Sequence, residues 1–248
     1  MLGIFDSGSG GLTVLRDLIE KKIGGSIVYF GDLAHAPYGN KSADELHRLT
    51  KQGIERLTQE GVTHIVSACN SASASFLEGV AGERHVFEMT RPTARMMRAY
   101  AGKSVLLVAT TATVESRIYE DVLAPIVHLT SCAIPELAGA IERGESDNEI
   151  ESLIIERLPK NLDEVDAVLL GCTHYPFVLD IFKKVCTTQY GPQCIVLDPA
   201  SAVAVEVTRT LHDLGDVSVR LLISKESSVF RVLASRVLGE LPYSIEVV

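Results

Sequence analysis

The sequence predicts an α/β protein of two similar lobes, each a mainly parallel sheet flanked by helices, with a cleft between them. Three observations predict it. Short runs rich in Val, Ile, Leu and Phe alternate with segments of helical period. The runs are apolar at nearly every position, as strands buried on both faces are. There are ten of them in 248 residues, more than one small sheet usually holds.

The predicted strands are Leu2–Asp6, Ser26–Asp32, His64–Asn70, His85–Met89, Ser104–Thr110, Ile126–Cys132, Asp166–Cys172, Gln193–Asp198, Ser218–Ser224 and Ser244–Val248. Between the second and third, Ala43–Glu60 places Leu46, Leu49, Gly53, Ile54 and Leu57 along one side, the stripe of an amphipathic helix. The polar patch Arg143–Asn148 reads as a surface turn. Breaks at Thr90–Pro92 and near Ser201–Glu206 divide the chain into a first lobe, 1–92 completed by 206–248, and a second lobe, 93–205, inserted within it.

Hydrophobic residues make up 46% and charged residues 22%, which excludes a disordered chain, a collagen-like fibre and a coiled coil. Lys and Arg number 23 against 32 Asp and Glu, a formal charge of −9 that argues against a general nucleic-acid binder. Apolar stretches such as Val105–Ala109 are too short to span a bilayer, so no membrane partner is expected. Met1–Asp6 lacks the basic start of a secretory signal, and a cytoplasmic protein is expected. The five cysteines form no Cys-x-x-Cys, so neither a metal site nor a disulfide framework is indicated.

Two of those cysteines stand in similar settings. Ile65-Val66-Ser67-Ala68-Cys69-Asn70-Ser71 and Leu169-Leu170-Gly171-Cys172-Thr173-His174 each run from an apolar strand through a small residue and Cys into polar residues opening a helix. Ile4-Phe5-Asp6-Ser7-Gly8 and Val196-Leu197-Asp198-Pro199-Ala200 also look alike, so each half offers a strand ending in Asp and one ending in Cys. Ligands of open α/β sheets bind beyond the carboxyl ends of strands. A helix N-terminus there favours a thiolate, and a thiol brought towards neutral pKa is a usable base. Two thiols on opposite faces of one carbon could invert it, one removing a proton and the other returning one. Plain burial as small hydrophobes is the alternative, but neighbouring hydroxyl, amide and imidazole groups are not what an apolar packing site needs.

The glycines of Gly8-Ser9-Gly10-Gly11 permit close backbone approach. A dinucleotide site would use them with Asp32, yet Thr13 falls where that fingerprint needs a small residue. His174, two residues from Cys172, can tune the thiol or carry a proton near neutral pH. The Pro37-Tyr38-Gly39-Asn40 stretch reads as turn chemistry. There is no P-loop, His-Glu-x-x-His or Gly-x-Ser-x-Gly.

Taken together these segments resemble the aspartate/glutamate racemase family. The resemblance rests on Phe5-Asp6-Ser7-Gly8 with Gly10-Gly11-Leu12, Tyr29-Phe30-Gly31-Asp32, Pro37-Tyr38-Gly39-Asn40-Lys41-Ser42, Ala68-Cys69-Asn70-Ser71-Ala72-Ser73, Thr110 with Thr113-Val114, and Leu170-Gly171-Cys172-Thr173-His174-Tyr175-Pro176. It implies interconversion of L- and D-glutamate without a cofactor, with Cys69 and Cys172 as bases and Asp6 and His174 assisting proton transfer. It also implies that Ser7, Pro37, Tyr38, Gly39, Asn70, Ser71, Thr110, Thr113 and Thr173 line the substrate site, and that the product serves a bacterial cell wall. The expected partner is a small acidic amino acid; oligomeric state stays open, a homodimer included.

Departures from the family pattern are Ser71 for a usual Thr, the segment Glu88–Pro92, Ala109 for a usual Gly, and Pro199 for a Ser. Either Glu136 or Glu142 stands near a family acid, and neither is assigned its role. Rival readings are a racemase of aspartate or another small acid, and a binder that has lost catalysis.

Overall fold

The structure is a computed structural model that describes residues 1–77, 85–162, 164–211 and 215–248. Its strands are β1 (Leu2–Asp6), β2 (Ser26–Gly31), β3 (His64–Ser67), β4 (His85–Phe87), β5 (Ser104–Ala109), β6 (His128–Ala133), β7 (Ala167–Gly171), β8 (Ile195–Leu197), β9 (Ser218–Ile223) and β10 (Tyr243–Val247). Helices α1 (Leu12–Glu20), α2 (Ala43–Gln59), α3 (Ser73–Leu77) and α4 (Thr90–Met97) follow β1 to β4 in turn. Then α5 (Thr111–Glu115) and α6 (Ile118–Leu123) follow β5, and α7 (Leu137–Arg143) and α8 (Asp147–Arg157) follow β6. Finally α9 (Leu179–Tyr190), α10 (Ala200–Thr210) and α11 (Ser228–Leu238) follow β7, β8 and β9.

All ten expected strands are present, most of them shorter at the carboxyl end than the sequence suggested. Asn70, Met89, Thr110, Cys172 and Asp198 lie just outside their strands, where the chain turns into the next helix. The strands form two sheets, in the orders β10-β9-β2-β1-β3-β4 and β6-β5-β7-β8, and every pairing is parallel. The inner strands feed two cores by alternation: Ile4 packs beneath α1, α10 and α11, while Phe5 packs against α2. In the second sheet, Leu106 and Val108 face α7–α9, and Val105 and Leu107 face α4 and α6.

Local sequence explains the helix ends that matter here. Ser42 caps α2 by accepting from the Glu45 N–H, and Asp44 and Glu45 complement the dipole of the first turn. Leu46, Leu49, Gly53, Ile54 and Leu57 are all buried, as the stripe required. The patch at Arg143–Asn148 is a turn only from Gly144 to Ser146: Gly144 ends α7 in the left-handed conformation, and Ser146 with Glu149 forms a capping box that starts α8 at Asp147.

The sheet orders show that the first four strands and the next four repeat one topology. In each set the chain steps from the first strand to one side, then to the other for the third and fourth. Cys69 after β3 and Cys172 after β7 are therefore true counterparts. The Asp6–Asp198 likeness is not: Asp198 follows β8, whose counterpart is β4, so its equivalent is Glu88. Both acids do the same local work, Glu88 accepting from the Thr90 and Arg91 N–H groups at α4, and Asp198 from the Ala200 N–H at α10. No described helix is long and apolar enough to cross a membrane.

Candidate active site

The site forms where the carboxyl ends of β1 and β3 in one sheet meet those of β5 and β7 in the other. These are the two points at which strand order reverses, the usual place for a ligand in an open α/β sheet. Cys69 and Cys172 are both buried, at 4% and 6% exposure, and Cys172 is near enough for a charge on it to act on Cys69.

Asp6 joins them. It is fully buried at the end of β1; one carboxylate oxygen accepts from the Gly8 N–H (2.9 Å) and the other from the Thr173 hydroxyl (3.0 Å), next to Cys172. Burial raises the Asp6 pKa, against the lowering effect of His174 and these hydrogen bonds. The neighbouring Ser7 accepts a 3.4 Å hydrogen bond from the Cys69 thiol. Burial, with the Asp6 charge, pushes the Cys69 thiol up to about 12. The expectation that a helix N-terminus would bring this thiol towards neutrality is thus not met at Cys69: desolvation and a nearby carboxylate outweigh the dipole.

On the opposite side His174 Nδ1 lies 3.9 Å from Cys172 Sγ, and its Nε2 meets Glu142 Oε2. Burial alone would lower the imidazole pKa, but contact with Cys172 and Glu142 holds it well above its ordinary value. Glu142 also accepts from the Ser9 N–H (3.0 Å) and hydroxyl (2.8 Å), which tie α7 to the loop after β1. Burial opposes its charge, yet His174 and Ser9 keep its pKa low. Sequence reasoning left Glu136 and Glu142 undecided. Glu142 turns inward to His174, and Glu136 pairs at the surface with Arg157 (2.7 Å).

The remaining expected residues are brought to the same place. Ser71, Thr110 and Thr113 form a buried hydroxyl cluster at 2.9, 3.0 and 3.3 Å. Pro37, Tyr38 and Gly39 lie on a loop pinned by Asp32, whose carboxylate accepts from the hydroxyls of Tyr38 and Ser224 (each 2.7 Å) and contacts His35 (2.9 Å). A Cβ on Gly39 would stand 2.6 Å from the Thr110 side chain, and one on Gly139 of α7 would reach Pro37 at 3.8 Å, so this loop abuts the second sheet's elements. Asp32 therefore shapes the loop and does not sit in a ribose site.

The glycines of the β1 loop are needed for the same close approach. A Cβ on Gly8 would meet Glu142 Oε2 at 2.7 Å, and one on Gly10 would meet His174 Nδ1 at 2.6 Å. Asn70 is buried beside Cys69, with Tyr119 donating to its Oδ1. Tyr119 and Ser9 were not singled out from the sequence and Glu142 was left undecided; all three reach the site through contacts between residues 32 to 133 positions apart.

The arrangement defines a class: two thiols at equivalent sheet ends, with a carboxylate and an imidazole beside them, suited to moving a proton on and off one carbon. The model of the Asp/Glu/Hydantoin racemase family matches residues 20–207, and the chain belongs to that family. Among relatives, the chain is 38% identical to the glutamate racemase of Carboxydothermus hydrogenoformans, covering 96% of this chain and 92% of that protein. It is 34% identical to that of Desulforudis audaxviator, covering 97% and 94%. Its fold is similar to the crystal structure of a glutamate racemase isoform from Bacillus anthracis (TM-score 0.88, 28% identity, 100% and 97% covered). It is similar also to the Thermus thermophilus glutamate racemase in complex with beta-chloro-D-alanine (TM-score 0.82, 33% identity, 100% and 96% covered).

Proposed function

We propose that this protein interconverts L- and D-glutamate by two-base proton transfer between Cys69 and Cys172. The observation that carries the reading is the placement of two buried thiols at topologically equivalent strand ends, joined through Ser7, Asp6 and Thr173. One cysteine, as thiolate, takes the Cα proton, and the electron pair is left on a carbanion delocalised into the α-carboxylate. The other, as thiol, gives its proton to the opposite face, so no net proton is gained or lost. Cys69 acts on the D enantiomer and Cys172 on the L enantiomer, following the family resemblance.

Asp6 and His174 stand beside the two thiols as proton relays, Asp6 near Cys69 and His174 against Cys172. The hydroxyls of Ser7, Ser71, Thr110, Thr113 and Thr173, the Asn70 amide and the Pro37-Tyr38-Gly39 loop bind the two carboxylates and favour charge developing in the transition state. The residues of the site are buried, and such a closed site excludes water from the reacting carbon. The lobes are taken as 1–92 with 206–248, and 93–205. The product would supply D-glutamate for peptidoglycan in the cytoplasm, from a single chain or a homodimer.

The test is Cα exchange in deuterated buffer with no added cofactor. Deuterium entering Cα of both enantiomers, with loss of optical purity, is the expected result. Exchange of neither, with exchange of aspartate instead, would overturn the substrate assignment. Full racemisation by Cys69→Ala would overturn the two-base scheme.

A further inference from the structure

Asn70 is 2% exposed, and its backbone is held by the Ser73 N–H bonded to its carbonyl. Its side-chain amide is half satisfied. Oδ1 accepts from the Tyr119 hydroxyl, while Nδ2 has no partner; among the described residues it is the one buried side-chain nitrogen left so. A buried donor without an acceptor is costly, and a protein that keeps one next to Cys69, at the ends of the two sheets, has a use for it. Tyr119 is itself fully buried on α6, and burial raises its pKa, which keeps the phenol a donor.

An amide has two near-isosteric orientations that exchange a donor for an acceptor. If Oδ1 rather than Nδ2 faced the ligand, it would oppose a carboxylate. A phenol hydroxyl can accept as well as donate, and here it donates to Oδ1, which holds the other orientation. We propose that Tyr119 is a positioning residue that fixes the Asn70 amide with its N–H₂ group presented to a substrate carboxylate. This rests on the acidic amino acid substrate proposed above. Because Asn70 follows β3 and Tyr119 follows β5, the contact spans the two sheets, and the amide is set only when the lobes are together.

The experiment is a double-mutant cycle on the full chain, read in both directions of racemisation. Tyr119→Phe is expected to raise KM for glutamate about tenfold, the worth of one well-aimed hydrogen bond to a charged group, with a smaller change in kcat. In an Asn70→Ala background the same substitution is expected to change KM by less than about twofold, since there is no amide left to orient. Asn70→Asp keeps an acceptor for Tyr119 but offers no donor, and is expected to bind glutamate as poorly as Asn70→Ala. It serves if Tyr119→Phe does not fold. A Tyr119→Phe protein with lowered melting temperature but unchanged KM overturns the inference. So does a KM effect that persists in full without Asn70, or tight binding by Asn70→Asp. If the wild type exchanges neither glutamate enantiomer, the proposed function fails instead. The Asn70 side-chain amide signal of ¹⁵N-labelled protein then decides this inference: it must change in Tyr119→Phe, and an unchanged signal overturns it.

Discussion

Replacing Glu142 by Gln keeps the side chain's size and removes its charge from a site where three donors converge. Oε2 accepts from the Ser9 N–H, the Ser9 hydroxyl and His174 Nε2, and the His174 and Glu142 side chains are only 4% and 13% exposed. The variant's amide can offer its one oxygen to the same three donors and place its N–H₂ group where Oε1 has no partner, so what is removed is the charge that faces His174. Breaking a buried ion pair costs about 3 to 5 kcal/mol, and the retained neutral hydrogen bonding brings the expected loss to about 3 kcal/mol. For a chain of this length that is a fall in melting temperature of about 6 to 12 °C.

The pH dependence has a definite sign. His174 has a raised pKa, so its contribution is fully present below its ordinary value of about 6.5 and is lost as pH rises through the folded value. Glu142 has a lowered pKa, so its contribution is present above about 4.5 and is lost as pH falls. The gap between wild type and Glu142→Gln should therefore be widest between about pH 4.5 and 6.5 and narrow on both sides. Scanning calorimetry from acid to alkaline pH, with kcat/KM measured alongside, is the assay. A fall of less than about 2 °C at pH 6, or a gap that does not vary with pH, would refute the ion-pair reasoning.

Three further outcomes are expected. Gly10→Ala puts a methyl against Thr173 Oγ1 and within 2.6 Å of His174 Nδ1, so it should cost about 1 to 3 kcal/mol and cut kcat/KM sharply; normal activity would show that the sheets need not approach so closely here. Asp198, raised by burial to about 6, destabilises the fold when ionised, a cost absent below pH 3.8 and fully developed above pH 6. Asp198→Asn should accordingly add about 2 kcal/mol at pH 7.5 and nothing near pH 3.5, measured by denaturant unfolding, and equal gains at both would be the failing result. Cys172→Ser keeps the shape of the thiol and loses its acidity, so Cα exchange of L-glutamate should fall by at least about a thousandfold while the melting temperature moves little. Retained exchange would remove Cys172 from the proposed mechanism.

What could be read before folding was local. Parallel strands buried on both faces are written as unbroken apolar runs, so all ten were legible, and the periodic stripe through Leu57 marked α2. Cys69 and Cys172 were legible as a pair because a repeated strand-to-helix turn repeats its sequence. That same logic misread Asp198, because Asp recurs both at sheet ends and as a cap to the next helix; only the strand order shows that its counterpart is Glu88.

Tertiary structure alone decided the rest. Glu142 lies 32 residues from His174 and 133 from Ser9, on a helix with no local signal pointing inward, and nothing short of packing one sheet against the other selects it over Glu136. The Cys69 thiol was expected to ionise readily from its place near a helix start, but desolvation and the Asp6 charge belong to the closed site and not to the segment that carries the cysteine. Residue types and their order determined which elements form and which side chains reach strand ends. Which acid meets which base, and at what pKa, depends on distance and burial, and those exist only once segments far apart in the chain have been brought together.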